Sequence, residues 1–218
     1  PQIYPGRQRW GEIHIWDAHG KVLYEDAPPG ITITDGVCID KDDNVYVLTN
    51  PMRTPDGKRT LNPMTETLIK MKPGKARVIT SGEGLAVPLK AGQEPPGPPQ
   101  IGGAFIQGPA WAVGAEWLYG GVGYAGTMRC VCWTARFALD YYARSFAPEP
   151  DRFSVAVLDT AGNLMLRIGR CGNVDDGKPL VADPAVKEPR PIGGDETAIM
   201  HACYTAVDTD KRLFIEDT

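Results

Sequence analysis

Hydrophobic and polar positions alternate with period two over short stretches of this chain, and the stretches come in pairs joined by a few turn-forming residues. In residues 153–169, Val155 and Val157 alternate with their neighbours, then Leu164, Leu166 and Ile168 alternate again. Between them lies Asp159-Thr160-Ala161-Gly162. Asp can hydrogen-bond the turn backbone and Gly can take φ > 0, so the pattern predicts a β-hairpin. Residues 11–26 carry the same grammar, with Ile13 and Ile15, the turn Asp17-Ala18-His19-Gly20, then Val22 and Tyr24. A looser copy spans 67–80, with Ile69, the turn Met71-Lys72-Pro73-Gly74, then Ala76 and Val78.

A second kind of hairpin alternates with the first. Residues 36–50 align with 136–149, setting Asp40 on Asp140, Asn44 on Arg144 and Tyr46 on Phe146. Residues 205–218 follow the template through Asp208, Arg212 and Phe214, and 110–122 form a degenerate copy with a shortened turn. From Phe137 to Gly169 the two kinds join into a predicted four-stranded antiparallel sheet, with Val155, Val157, Leu164 and Leu166 buried. The rival is a helix over 136–145, because Arg136, Asp140 and Arg144 are spaced i,i+4.

Four antiparallel strands in roughly forty residues match the size of a β-propeller blade. The stretches "FALDYYARSFAPEPDRFSVAVLDTAGNLMLRIG" and "GVCIDKDDNVYVLTN" resemble the NHL-repeat group of propellers. The resemblance implies an all-β fold, a β-propeller of four-stranded antiparallel blades with about four blade equivalents. The blade parts are 11–25, 36–80, 110–133, 136–169 and 204–218, in a single propeller domain or segment over 1–218. The chain opens on an outer-type hairpin and ends on an inner pair, so its termini would combine into one blade, or it is a segment of a six-bladed propeller whose remainder is its partner. The segment is the preferred expectation, and the start without Met points to a processed or trimmed terminus. A β-sandwich is the alternative fold.

Long connections fall only between hairpins, at 51–66, 81–108, 123–135 and 170–200. In an up-and-down blade those links share one face, which predicts a loop face for a protein or small-molecule ligand. The "EPPGPP" run (94–99) is open to reading as a spacer, a polyproline docking motif or part of a loop folded over that face.

Composition narrows the classes. A hydrophobic content of 42% and a charge content of 23% are those of a globular domain. The net charge of −4, with its 23 Lys and Arg scattered, argues against a nucleic-acid surface. No apolar run approaches the roughly 18–20 residues that span a bilayer as a helix. Five cysteines leave the redox compartment open, with an extracytoplasmic location favoured.

Candidate chemistry gathers on the loops. Cys130-Val131-Cys132, with Cys171, Cys203 and His201, would supply a sulfur/nitrogen site for Zn²⁺; a loop-stapling disulfide or inert thiols are the alternatives. Asp195 and Glu196, like Asp175 and Asp176, would serve Ca²⁺ or acid–base work, or simply form turns. Of the three histidines, only His201 enters an inner strand from the loop face; a structural role is its default. Some NHL propellers are zinc lyases with several histidines around the channel, a set this sequence does not supply. Trp111, Trp117 and Trp133 are expected to pack between blades, with a ligand platform as runner-up. No Gly-x-Ser-x-Gly, P-loop or dinucleotide fingerprint occurs. The expected function is a binding scaffold acting through the loop face; the alternative is a metal-dependent propeller hydrolase or lyase with its site near His201.

Overall fold

A computed structural model of the chain describes residues 12–31, 33–82, 87–90, 92–103, 106–124, 135–172 and 197–218. The protein is all-β, with its strands in several mainly antiparallel sheets. Its residues group into two compact units, Pro1–Thr134 and Ala135–Thr218. Among the described residues, no helix is long and apolar enough to cross a membrane.

One turn recurs in both units and in both kinds of hairpin. It spans 17–21, 40–44, 140–144, 159–163 and 208–212, and begins each time on Asp. The Asp N–H donates to the carbonyl of the fifth residue, as from Asp140 to Arg144 at 3.1 Å. The fourth residue's N–H donates back to the Asp carbonyl, as from Ala143 to Asp140 at 2.9 Å. In every copy the carboxylate Oδ1 also accepts the fifth residue's N–H, from Lys21, Asn44, Arg144, Asn163 or Arg212, at 2.8–3.0 Å. The fourth residue is left-handed: Gly20 at φ +82°, Asp43 at +59°, Ala143 at +60°, Gly162 at +81° and Lys211 at +66°. This is the type I turn plus left-handed residue that closes a three-residue hairpin loop. The i,i+4 spacing of Asp140 and Arg144 therefore makes an ion pair of 2.6 Å across a turn, and 136–145 is not a helix.

Unit 1 contains β1 (Ile15–Trp16), β2 (Val22–Tyr24), β3 (Thr34–Ile39), β4 (Val45–Thr49), β5 (Met52–Arg53) and β6 (Glu66–Met71). It continues with β7 (Arg77–Thr80), β8 (Val87–Pro88), β9 (Ile101–Gly103), β10 (Ile106–Val113) and β11 (Ala115–Val122). β1 and β2 form the hairpin expected near the start; β3 and β4 form the next. The 67–80 and 110–122 segments depart from expectation, because neither closes on itself. β6 pairs with β11 and β7 with β10, in two different sheets ordered β11-β6-β4-β3 and β5-β9-β10-β7-β8.

The cause is a corner. Met71 faces Ala115 and Arg77 faces Val113, so residues 72–76 stand opposite Gly114 alone. Gly114 sits at φ +78°, and a Cβ there would lie 2.3 Å from the Lys75 carbonyl oxygen. Only glycine fits, and the two-stranded ribbon passes through the bend from one sheet to the other. The shared core lies between the sheets: Val45, Val47, Ile69 and Met71 from one meet Val78, Ile101, Ile106 and Ala112 from the other.

Unit 2 holds β12 (Ala138–Leu139), β13 (Ser145–Glu149), β14 (Ser154–Leu158), β15 (Leu164–Ile168), β16 (Arg170–Cys171), β17 (Ala198–Ile199), β18 (Ala202–Val207) and β19 (Leu213–Asp217). β12–β15 form the expected four-stranded antiparallel meander, and β18–β19 the expected hairpin. Val155 and Val157 are buried, but Leu164 is 39% and Leu166 49% exposed. β15 is the edge of its sheet, so its alternation does not translate into burial. Arg136 bridges in parallel to Tyr204, and the Thr205 hydroxyl donates to the carbonyls of Arg136 (3.1 Å) and Phe146 (2.9 Å), fastening β18 to the meander. Glu149, buried at the end of β13, takes the Arg167 guanidinium at 2.6 Å.

The turn geometry fixes the effect of two substitutions. Ala143→Gly removes left-handed strain of about 1–2 kcal/mol against an unfolded-state entropy penalty of about 0.5–1 kcal/mol, so it is expected to stabilise slightly. Asp140→Ala deletes the carboxylate that accepts two backbone N–H groups and the Arg144 side chain, and is expected to cost about 2 kcal/mol. Denaturant unfolding measures both; a destabilised Ala143→Gly would contradict the turn assignment.

Candidate functional site

His201 lies between β17 and β18 and is 8% exposed. The Asp217 carboxylate accepts the N–H groups of Met200 and His201, and the His201 carbonyl accepts the N–H of Thr218 at 3.1 Å. Cys203 Sγ lies 3.2 Å from the Thr218 hydroxyl. Burial lowers the imidazole pKa from its ordinary value, with Asp217 pulling the other way, and burial pushes the Cys203 thiol up. At neutral pH these are an uncharged ring and an unionised thiol, which suits packing more than nucleophilic chemistry. Cys171 and Cys203 are free thiols, which takes them out of a loop-stapling disulfide. Cys130, Cys132, Asp195, Glu196, Asp175 and Asp176 lie outside the described residues, as do 125–134 and 173–196 generally. Among the described residues no group of three or more His, Cys, Asp or Glu is placed to hold a metal ion.

The His201 environment has a pH consequence. A base whose folded pKa is depressed contributes stability that is complete above its unfolded value, about 6.5, and declines as pH falls toward the folded value. A ring-proton NMR titration is expected to give a His201 midpoint below 6.5; a midpoint above it would show that Asp217 outweighs burial.

Two of the four long connections come together in unit 1. β5, in the 51–66 link, pairs with β9, in the 81–108 link, through Met52–Gly102 and Arg53–Ile101. The proline-rich run is folded onto the sheet and is not a spacer. Its prolines offer carbonyls but no N–H groups, and the donors that hold it come from other segments. The indole N–H of Trp111 donates to the Gly97 carbonyl at 3.2 Å and the Thr54 hydroxyl to that of Pro99 at 3.0 Å. Arg53 Nη1 donates to the Gln100 carbonyl at 2.6 Å and to that of Thr54 at 3.2 Å. The Gln100 side chain in turn accepts the Ala112 N–H at 3.1 Å.

Between this run, the 53–56 segment and the bend at 111–115 lies a cavity of about 470 Å³. Its wall is indole, proline and small aliphatic surface, with the Gln100 amide and two charges, Arg53 and Asp56. Arg53 is half-buried; burial lowers its pKa from the ordinary value and the nearby Asp56 carboxylate opposes the shift. Both Arg53 contacts use Nη1. Among the described residues, its Nε and Nη2 groups have no hydrogen-bond partner, and it forms no ion pair. Such a wall can hold an organic molecule by apolar contact and orient it through one cation.

Trp111 had one legible signal, the tryptophan cluster, and its 7% exposure fits packing. Arg53 and Asp56 had none, because "RTPDGK" reads as an ordinary turn. In comparisons with known proteins, no family model and no curated protein matches this chain.

Proposed function

We propose that the chain is an NHL-type propeller, or a segment of one, acting as a binding scaffold through the links between its hairpins. The four-stranded meander β12–β15 and the parallel approach of residue 136 to β18 support the propeller part, since inner strands of successive blades run parallel. The observation that carries the binding part is the cavity. Two links of unrelated sequence are joined by the β5–β9 pairing and by three further hydrogen bonds, from Arg53 and the Thr54 N–H to the Gln100 carbonyl and from the Thr54 hydroxyl to that of Pro99, and they border a space of ligand size. A pocket lined by indole, prolines and a fixed guanidinium is equipped for recognition.

The test is a fragment screen by NMR on the whole chain, followed through the Trp111 indole N–H and the Gln100 side-chain amide. Binders are expected to move those two signals together. A screen whose binders move only signals remote from residues 53–56, 95–100 and 111–115 would contradict the reading.

A further inference from the structure

The geometry points to a carboxylate as the group this cavity recognises: Arg53 receives the two oxygens of a small organic acid while Trp111 and the prolines hold its apolar body. This inference rests on the cavity being the binding site proposed above.

A guanidinium taken partly out of water normally recovers its solvation from a carboxylate or phosphate. Here the partners supplied by the chain are two neutral carbonyls, those of Thr54 and Gln100. These hold Nη1 and fix the plane of the group, which lowers the entropy lost when a ligand engages the rest of it. The Nε and Nη2 edge presents two parallel donors, the spacing that matches the two oxygens of a carboxylate. Asp56 is the nearby counter-charge, yet it reaches Arg53 through space and not by an ion pair. It therefore attenuates the positive potential without occupying the donors. The indole, proline and aliphatic surface beside Arg53 gives the body of an organic acid contacts that a bare inorganic anion does not make.

A free metabolite acid and the C-terminus of a peptide carry the same group, and the test separates them. 3-Phenylpropionate and its amide, and acetyl-Ala-Ala-Phe as free acid and as amide, are titrated into the whole chain at low ionic strength, with the Arg53 Nε–H and Trp111 indole signals followed by NMR. Each acid that binds is expected to be about tenfold or more tighter than its amide, the size of a charge-assisted bond pair. Asp56→Asn keeps a residue that tolerates the left-handed φ of +51° and removes the competing charge. It is expected to tighten the acids about two- to fivefold and leave the amides unchanged. Arg53→Lys, which keeps the charge without the fork, is expected to weaken the acids at least about fivefold.

Binding by the small acid alone assigns free acids, and tighter binding by the peptide acid assigns C-termini; both support the inference. Amides that bind as tightly as the acids, with Asp56→Asn silent, would overturn the carboxylate assignment and leave the cavity as a binding site. If none of the four compounds moves the Arg53 or Trp111 signals, the carboxylate assignment falls; if fragments also fail there, the cavity reading falls with it.

Discussion

An aspartate carboxylate folded back onto its own turn sets the frame of both units. Each hairpin must reverse in three residues, which leaves backbone N–H groups pointing into the loop and one residue in the left-handed region. The Asp Oδ1 takes the fifth residue's N–H in all five copies, and in four of them Oδ2 takes that residue's side chain as well. Because the turn is closed by its own side chain, the strands on either side start in register whatever they later pack against. That independence explains why the same turn serves β1–β2, exposed along much of its length, and β13's partner strand β12, which is half in the core.

The turn also explains what was legible in the sequence and what was not. Asp followed by period-two alternation marked β3–β4, β12–β13, β14–β15 and β18–β19 correctly, because those pairings are local. The left-handed fourth position was hidden in Asp43, Ala143 and Lys211, where no glycine advertises it. Segment 67–80 carries Pro73-Gly74 but no leading Asp, and it does not close into a hairpin. Its strands choose partners 30 to 56 residues away through the corner at Gly114, a constraint set by backbone contact with Lys75 that no local pattern encodes. Leu164 and Leu166 alternate like core residues, but burial depends on whether another layer covers β15, and alternation is silent on that.

The cavity shows the same division between local and distant causes. In the sequence the 94–99 run is open to reading as a spacer, a docking motif or part of a folded loop, the last favoured by the length of the 81–108 link, because its composition removes donors and helix or sheet propensity. What fixes it is the placement of Trp111 on β10, Thr54 and Arg53, which arrive from other parts of the chain. Arg53 spends one nitrogen on that task, and the same residue lines the cavity. A single side chain thus both fastens the run and lines the cavity, and the carbonyls it holds are also what keeps it in place.

Closure of the hairpins by hydrogen-bonded aspartates is read out by a ¹³C NMR titration of the aspartate carboxyl carbons. In Asp159 the Asn163 side chain and backbone bonds lower the pKa, and in Asp208 the Arg212 N–H and guanidinium do so. In Asp40 burial pulls upward, but the bonds from Asn44, Asp42 and Tyr46 together outweigh it. A depressed folded pKa means the stabilisation is complete above the unfolded value, about 3.9, and is lost as pH falls through the folded one. Midpoints below 3.8 are expected for Asp40, Asp159 and Asp208, with hairpin signals lost as they protonate. Midpoints at or above 3.8 for all three, with the hairpins intact after protonation, would contradict closure by the aspartates.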